Sequence, residues 1–179
     1  MRRKISYILS CFLLTQIIFN VSKGQTTENI NRLKQIIKSA DSVVLISHQS
    51  EFVNPDEIAD KTDTVKDYKI WDNGKINRQV IIESQLLLDS DKINLSKILL
   101  RQVLKKRLQF AECDDPQHSI IIYKKNKQSY IDICFGCRRI HTSTDIEFSE
   151  SYLDERKWQQ LESFFKRKGL IKIFKEQNL

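Results

Sequence analysis

Cys113-Asp-Asp-Pro116-Gln-His118-Ser-Ile-Ile-Ile-Tyr123-Lys-Lys-Asn126-Lys-Gln-Ser-Tyr130-Ile-Asp-Ile-Cys134-Phe-Gly-Cys137 is the stretch on which the reading of this chain turns. The runs 119–123 and 130–134 are rich in Ile and Tyr, residues that favour a pleated, half-buried surface. The polar Lys124-Lys125-Asn126-Lys127-Gln128 between them reads as a tight reversal, so the two runs are expected to pair as an antiparallel hairpin. A turn centred on Asn126 places His118 across from Cys134 on one sheet face, with Cys113 and Cys137 at the same end. Three sulfurs and one imidazole are then expected to converge. The register carries this expectation, because a slip of one residue reverses the facing of a strand.

Working outward, Arg2, Arg3 and Lys4 precede a mostly apolar segment from Ile5 to Val21, and Ser22-Lys23-Gly24 follows with small residues. This is the layout of a secretory signal peptide over residues 1–24. The rival, an N-terminal membrane anchor, is disfavoured because Ser6, Ser10, Thr15, Gln16 and Asn20 dilute a segment already shorter than the roughly 20 apolar residues of a spanning helix. Cleavage removes Cys11 and four basic residues, Arg2, Arg3, Lys4 and Lys23. The remaining 26 basic residues face 23 acidic ones, and the net charge falls from +7 to +3. The basic character of the chain is thus mostly a targeting effect, and residues 25–179 are expected to form a single exported domain, periplasmic or secreted, with no stable membrane span.

Within that domain, Thr26 or Thr27 is placed to cap a helix burying Ile30, Leu33, Ile36 and Ile37. Ser42-Val-Val-Leu-Ile-Ser47 reads as a buried strand, with His48 at its end as a surface or hydrogen-bonded structural residue. Gln49 to Lys66 reads as a polar loop with a helical turn near Asn54, and the spacing of Asp56, Asp60, Asp63 and Asp67 does not fit a calcium loop. Asp72-Asn73-Gly74 marks a second hairpin between 68–71 and 75–82. A second helix is expected from Ser90 or Asn94 to about Gln109, and a third from Ser149 or Ser151 to Gly169, burying Leu153, Trp158, Leu161 and Phe165. Leu170 to Phe174 is expected to be a strand or a packed tail. Helix, strand, hairpin, helix, hairpin, helix is the order of a small α+β domain, with antiparallel hairpins packed on about three helices.

The cysteines admit three chemistries. An exported chain meets oxidising conditions, so Cys113 pairs with Cys134 or Cys137 in a disulfide and one thiol is left over. Alternatively Cys113, His118, Cys134 and Cys137 form a Cys3His set for zinc, or a soft site for copper(I). In the third, Cys134-Phe135-Gly136-Cys137 is a dithiol couple, with Arg138 and Arg139 favouring a thiolate. That reading lacks a helix start after the motif and a later proline, since the two prolines are Pro55 and Pro116. Haem attachment is excluded because Arg138, not His, follows Cys137. A Gly-rich phosphate loop, paired catalytic carboxylates and a nucleophile elbow have no counterpart in the sequence, and basic clusters such as 105–107 and 166–168 fall at helix ends, where the helix dipole explains them without nucleic acid.

At Cys113-Asp-Asp-Pro116-Gln-His118 and Ile133-Cys134-Phe135-Gly136-Cys137 the chain resembles a family of short exported bacterial proteins of uncharacterised function. Those proteins carry Cys-x-x-Pro-x-[His/Asn], a two-stranded unit ending in Cys-Phe-x-Cys, and then a helix closed by Gly. The likeness spans Cys113 to Gly169 and maps Cys113, Pro116, Cys134, Phe135 and Cys137 onto the family motif. The chain departs from it at Asp114, where an aromatic is common, and at Gln117, where a basic residue is common. The resemblance implies a unified motif and brings no activity with it. The expectation is a non-catalytic exported domain whose Cys cluster stabilises the fold or a surface for a protein partner, with metal binding or thiol redox chemistry as the alternative.

Overall fold

A computed structural model describes residues 28–50, 69–72, 75–101 and 113–176. The expected signal peptide, Cys11, the acidic loop, Asn73-Gly74 and the 105–107 basic cluster lie outside the described residues.

The fold is α+β, a five-stranded antiparallel sheet with helices on one face and a small ribbon on the other. Helix α1 covers 28–38, and its i, i+4 pair Leu33 and Ile37 enters the main core. Strand β1 (Ser42–His48) runs up the sheet between β4 (Ile81–Leu86) and β5 (His118–Lys124). Strands β6 (Lys127–Cys134) and β7 (Arg139–Thr142) complete the order β4-β1-β5-β6-β7. Because β1 and β5 are central and covered on both faces, they read as continuous apolar runs instead of alternating ones. Val43, Leu45, Ile120 and Ile122 face the helices, while Ile46 and Ile121 face the ribbon.

The ribbon consists of β2 (Trp71–Asp72) and β3 (Lys75–Ile76), paired as Asn-Gly spacing between them demands. The expected long second arm is cut short after Ile76: Asn77 caps a 3-10 turn (Arg78–Val80) by accepting from the Gln79 amide at 3.1 Å. The chain then re-enters the main sheet as β4. Trp71 stacks on Tyr130 at 4.0 Å, and its indole donates to Asp132 Oδ2 at 2.6 Å, fixing the ribbon over β6.

The expected hairpin is present, with its register one residue away from expectation. Lys124 pairs with Lys127 around a two-residue turn, Lys125-Asn126, in which Lys125 takes a φ of 54°. His118 therefore lies opposite Ile133, not Cys134, and points into the helix-side core. A second strand pair follows at once, Cys134 opposite Arg139, so 135–138 is a hairpin turn where the sequence had suggested no element.

Helix α2 (Asp89–Leu99) begins close to the expected place and is capped at Leu100, while the expected continuation over 102–109 lies outside the described residues. Asp91 at its start accepts from the Leu88 amide and pairs with Lys168 at 2.6 Å. At its far end the buried Lys157 ammonium donates to Leu99 O at 3.1 Å, satisfying a terminal carbonyl. Helix α3 (Glu155–Arg167) starts later than expected, after a 3-10 turn (Glu150–Tyr152), with Asp154 as N-cap accepting from the Lys157 amide at 2.9 Å. Trp158, Leu161 and Phe165 are buried as expected. Gly169, at a φ of 91°, ends the helix: its amide bonds Lys166 O and that of Leu170 bonds Phe165 O. The tail is a short helix, α4 (Lys172–Glu176), not a strand. Glu83 on β4 accepts from the Ile171 and Lys172 amides and so fastens it to the sheet edge. Among the described residues no helix is long and apolar enough to cross a membrane.

Candidate functional site

The end of β6 and the segment arriving at β5 bring the three cysteines together. Cys113 and Cys137 form a disulfide with their Cα atoms 5.6 Å apart, within the normal bridging range. Cys137 rather than Cys134 is the partner because it lies in the turn beyond the strand, on the path of the incoming chain. Cys134, still in β6, is the one free thiol among the described residues and is buried. The ligand atoms of Cys113, Cys134 and Cys137 all lie within 4.8 Å of one another.

Cys134 is held by its own turn. Its sulfur accepts the Cys137 amide at 3.1 Å and a second backbone amide, that of Asp115. Burial nonetheless pushes the thiol upward from its usual value, with the charges of Asp115 and Asp114 adding to the rise. The expected thiolate-favouring arginines are engaged elsewhere: Arg138 pairs with Glu155, and Arg139 lies 3.7 Å from Glu150. Cys134 is thus a protonated, enclosed thiol rather than an activated nucleophile.

His118 stands apart from the sulfur group. Its ring stacks on Phe174 at 4.4 Å and meets the edges of Phe135 at 5.0 Å and Phe165 at 5.6 Å. It is 1% exposed, and its Nε2 has no hydrogen-bond partner. Desolvation in this aromatic box lowers its pKa to about 3, with the charges of His48 and Lys166 contributing, so the imidazole is neutral. The four-residue Cys3His ligand set is accordingly reduced to three cysteines. The one-residue register shift is the physical reason.

The rest of the motif is redistributed in the same way. Phe135 packs against Phe165 at 5.4 Å and Trp158 at 6.2 Å, so it anchors the turn in the core. A side chain on Gly136 would meet nothing within 4 Å, whereas the left-handed residue of the turn is Arg138, at a φ of 56°. His141 bridges back to Asp114 at 2.7 Å on the surface, tying β7 to the Cys113 segment.

A second buried polar group lies on the ribbon side. His48 Nε2 is 3.3 Å from Ser119 Oγ, and both residues are 0% exposed. This is a hydroxyl and an imidazole at the spacing of a nucleophile and its base, yet His48 Nδ1 faces the Gln49 carbonyl at 3.0 Å, and the Asp132 carboxylate accepts the Trp71 indole. Sealed from solvent, the pair cross-links β1 to β5. Sequence reading missed Ser119 and Asp132 because each lies in an apolar run; only the strand pairing, Ser119 with Asp132, brings them together.

Compared with known proteins, the chain matches no protein-family model, no curated protein and no solved structure.

Proposed function

We propose that the chain is an exported, non-catalytic domain, of the kind its Cys-x-x-Pro and Cys-Phe-x-Cys segments resemble, in which the Cys cluster locks one end of the sheet into a fixed surface for a protein partner. The single observation that carries this reading is the Cys113–Cys137 disulfide with the third thiol buried beside it. A bridge separated by 24 residues, with the whole β5–β6 hairpin inside the loop, removes about 3–4 kcal/mol of unfolded-state freedom by loop-closure entropy. An enclosed, protonated Cys134 adds packing and no reactivity. An oxidising compartment outside the cytoplasm suits such a bridge. The test compares chemical unfolding of the oxidised protein with that of the reduced, alkylated protein. A loss of about 3 kcal/mol on reduction supports the reading; equal stability contradicts it.

A second reading is favoured by the closeness of all three sulfurs. After reduction, Cys113, Cys134 and Cys137 supply three thiolates, and the Cys137 amide already donates to Cys134 Sγ, a bond that would orient this sulfur as a ligand. Three thiolates suit copper(I), or zinc with an outside ligand at the exposed Cys113. Anaerobic titration of the reduced protein with each metal tests it: one tightly held equivalent, lost on Cys134→Ser, supports the site, and absence of binding removes it.

A further inference from the structure

Far from the cysteines, helices α1 and α2 leave a groove of about 680 Å³ between them, a volume normal for a small-molecule site. Its floor is apolar. The lining includes the fully buried Ile37, the partly buried Leu100, and Ile93, which stands open at 56% exposure. The rim is cationic: Lys34 and Lys38 stand one turn apart on α1, facing Lys97 and Arg101, also four residues apart, on the α2 side. None of these four makes an ion pair among the described residues. The one acidic residue of the lining, Asp89, is already paired with Lys92 at 3.0 Å. The groove therefore carries unbalanced positive charge around an apolar trough. The lining runs along α2 from Asp89 to Arg101, about 18 Å at 1.5 Å per residue.

We propose that this groove binds a free, single-chain anionic amphiphile, a fatty-acid-type carboxylate or its sulfate or phosphate counterpart. The head group lies among Lys34, Lys38, Lys97 and Arg101, and the hydrocarbon chain lies over Ile37, Ile93 and Leu100. The two requirements are separable. An anion without a tail gains only screened surface attraction, and a tail without an anion leaves four cations facing apolar surface. A solvated helix face would need neither the concavity nor the apolar floor.

The experiment is an NMR and calorimetric titration of the full chain with monomeric dodecanoate, decanoate and octanoate. Dodecyltrimethylammonium is the cationic control, and vesicles of anionic phospholipid form a separate arm. Saturable one-to-one binding of dodecanoate is expected, with shifts confined to α1 and α2. Each methylene removed should weaken it by up to about fourfold, and the cationic amphiphile should not compete. Lys97→Gln with Arg101→Gln should weaken dodecanoate at least tenfold, and Ile93→Asp should do the same. Both alter partly or fully exposed side chains, and unchanged thermal unfolding of the variants shows that they fold. Equal binding of anionic and cationic amphiphiles, or no dependence on chain length, overturns the proposal. So does binding to vesicles alone, or closure of the groove by a second copy of the chain in a dimer that excludes dodecanoate.

Discussion

His118 shows at the scale of one residue how environment overrules type. In solution a histidine gains a proton near pH 6.5, but in its box of Phe135, Phe165 and Phe174 it does so only near pH 3. The unfolded chain thus binds one more proton than the folded chain between those values, and the native state loses stability as pH falls from 6.5 toward 3. The variant His118→Phe, which keeps the aromatic packing and removes the titration, is expected to lack this component. The difference in unfolding free energy between wild type and variant should change by up to about 1.4 kcal/mol per pH unit across that window. His48 and Lys166 remain in both proteins, so their contribution largely cancels. A difference that does not vary with pH would contradict the neutral, enclosed imidazole. Cys134 behaves as a packing residue on the same logic: Cys134→Ala should cost about 1 kcal/mol by lost burial, whereas Cys113→Ser should cost about 3 kcal/mol by opening the loop.

Among the elements, the joint between α2 and α3 depends on Lys157, 2% exposed, whose ammonium serves the Leu99 carbonyl and, at 2.8 Å, that of Tyr152. Burial lowers its pKa to about 8, opposed by Asp154. Since the unfolded lysine holds its proton up to about 10.5, the cost of burying the charge is fully present below pH 8 and is relieved as pH rises toward 10.5. Lys157→Met is expected to destabilise by about 2 kcal/mol at neutral pH, because two enclosed carbonyls lose their donor, and to abolish the gain in stability between pH 8 and 10.5. Denaturant titrations at pH 7, 9 and 10 check both.

The same scale explains what was legible in the sequence. The Ile-rich runs announced β1, β5 and β6, and Gly169 announced the end of α3, because each signal is local. The register of the β5–β6 hairpin was hidden by a turn that uses Lys125 in the left-handed region, a place where Gly or Asn is usual. That single residue moved His118 out of the ligand set. Strand β7 was hidden because Arg139-Ile-His-Thr142 offers one core residue, Ile140, which gains its meaning only from pairing with Ile133. Leu170 to Phe174 reads as a strand or a packed tail because its apolar run is too short to show a period, and the helix start found there is held by the Glu83 carboxylate from a distant strand.

For the whole molecule, the sheet is covered on both faces, by helices and by the Trp71 ribbon, and the sulfur cluster closes one end of it. Removing Trp71 should loosen the ribbon without melting the helix-side core: Trp71→Ala is expected to cost about 3 kcal/mol and to raise amide exchange in β2, β3 and β4 selectively. Uniform loss of protection would contradict two separate packing layers. At this scale the convergence of Cys113 with the β6 end was readable in advance, since it needed only a hairpin, while the choice of partner was not. Cys134 and Cys137 differ in whether they lie in the strand or in the turn after it, a distinction set by the β6–β7 pairing.

The most direct test of the account is disulfide mapping. The chain freed of residues 1–24 is digested without reduction after denaturing alkylation, and the peptides are identified by mass. The account predicts one linked pair containing Cys113 and Cys137 and a single alkylated cysteine, Cys134. Alkylation of all three, or a link through Cys134, would contradict it.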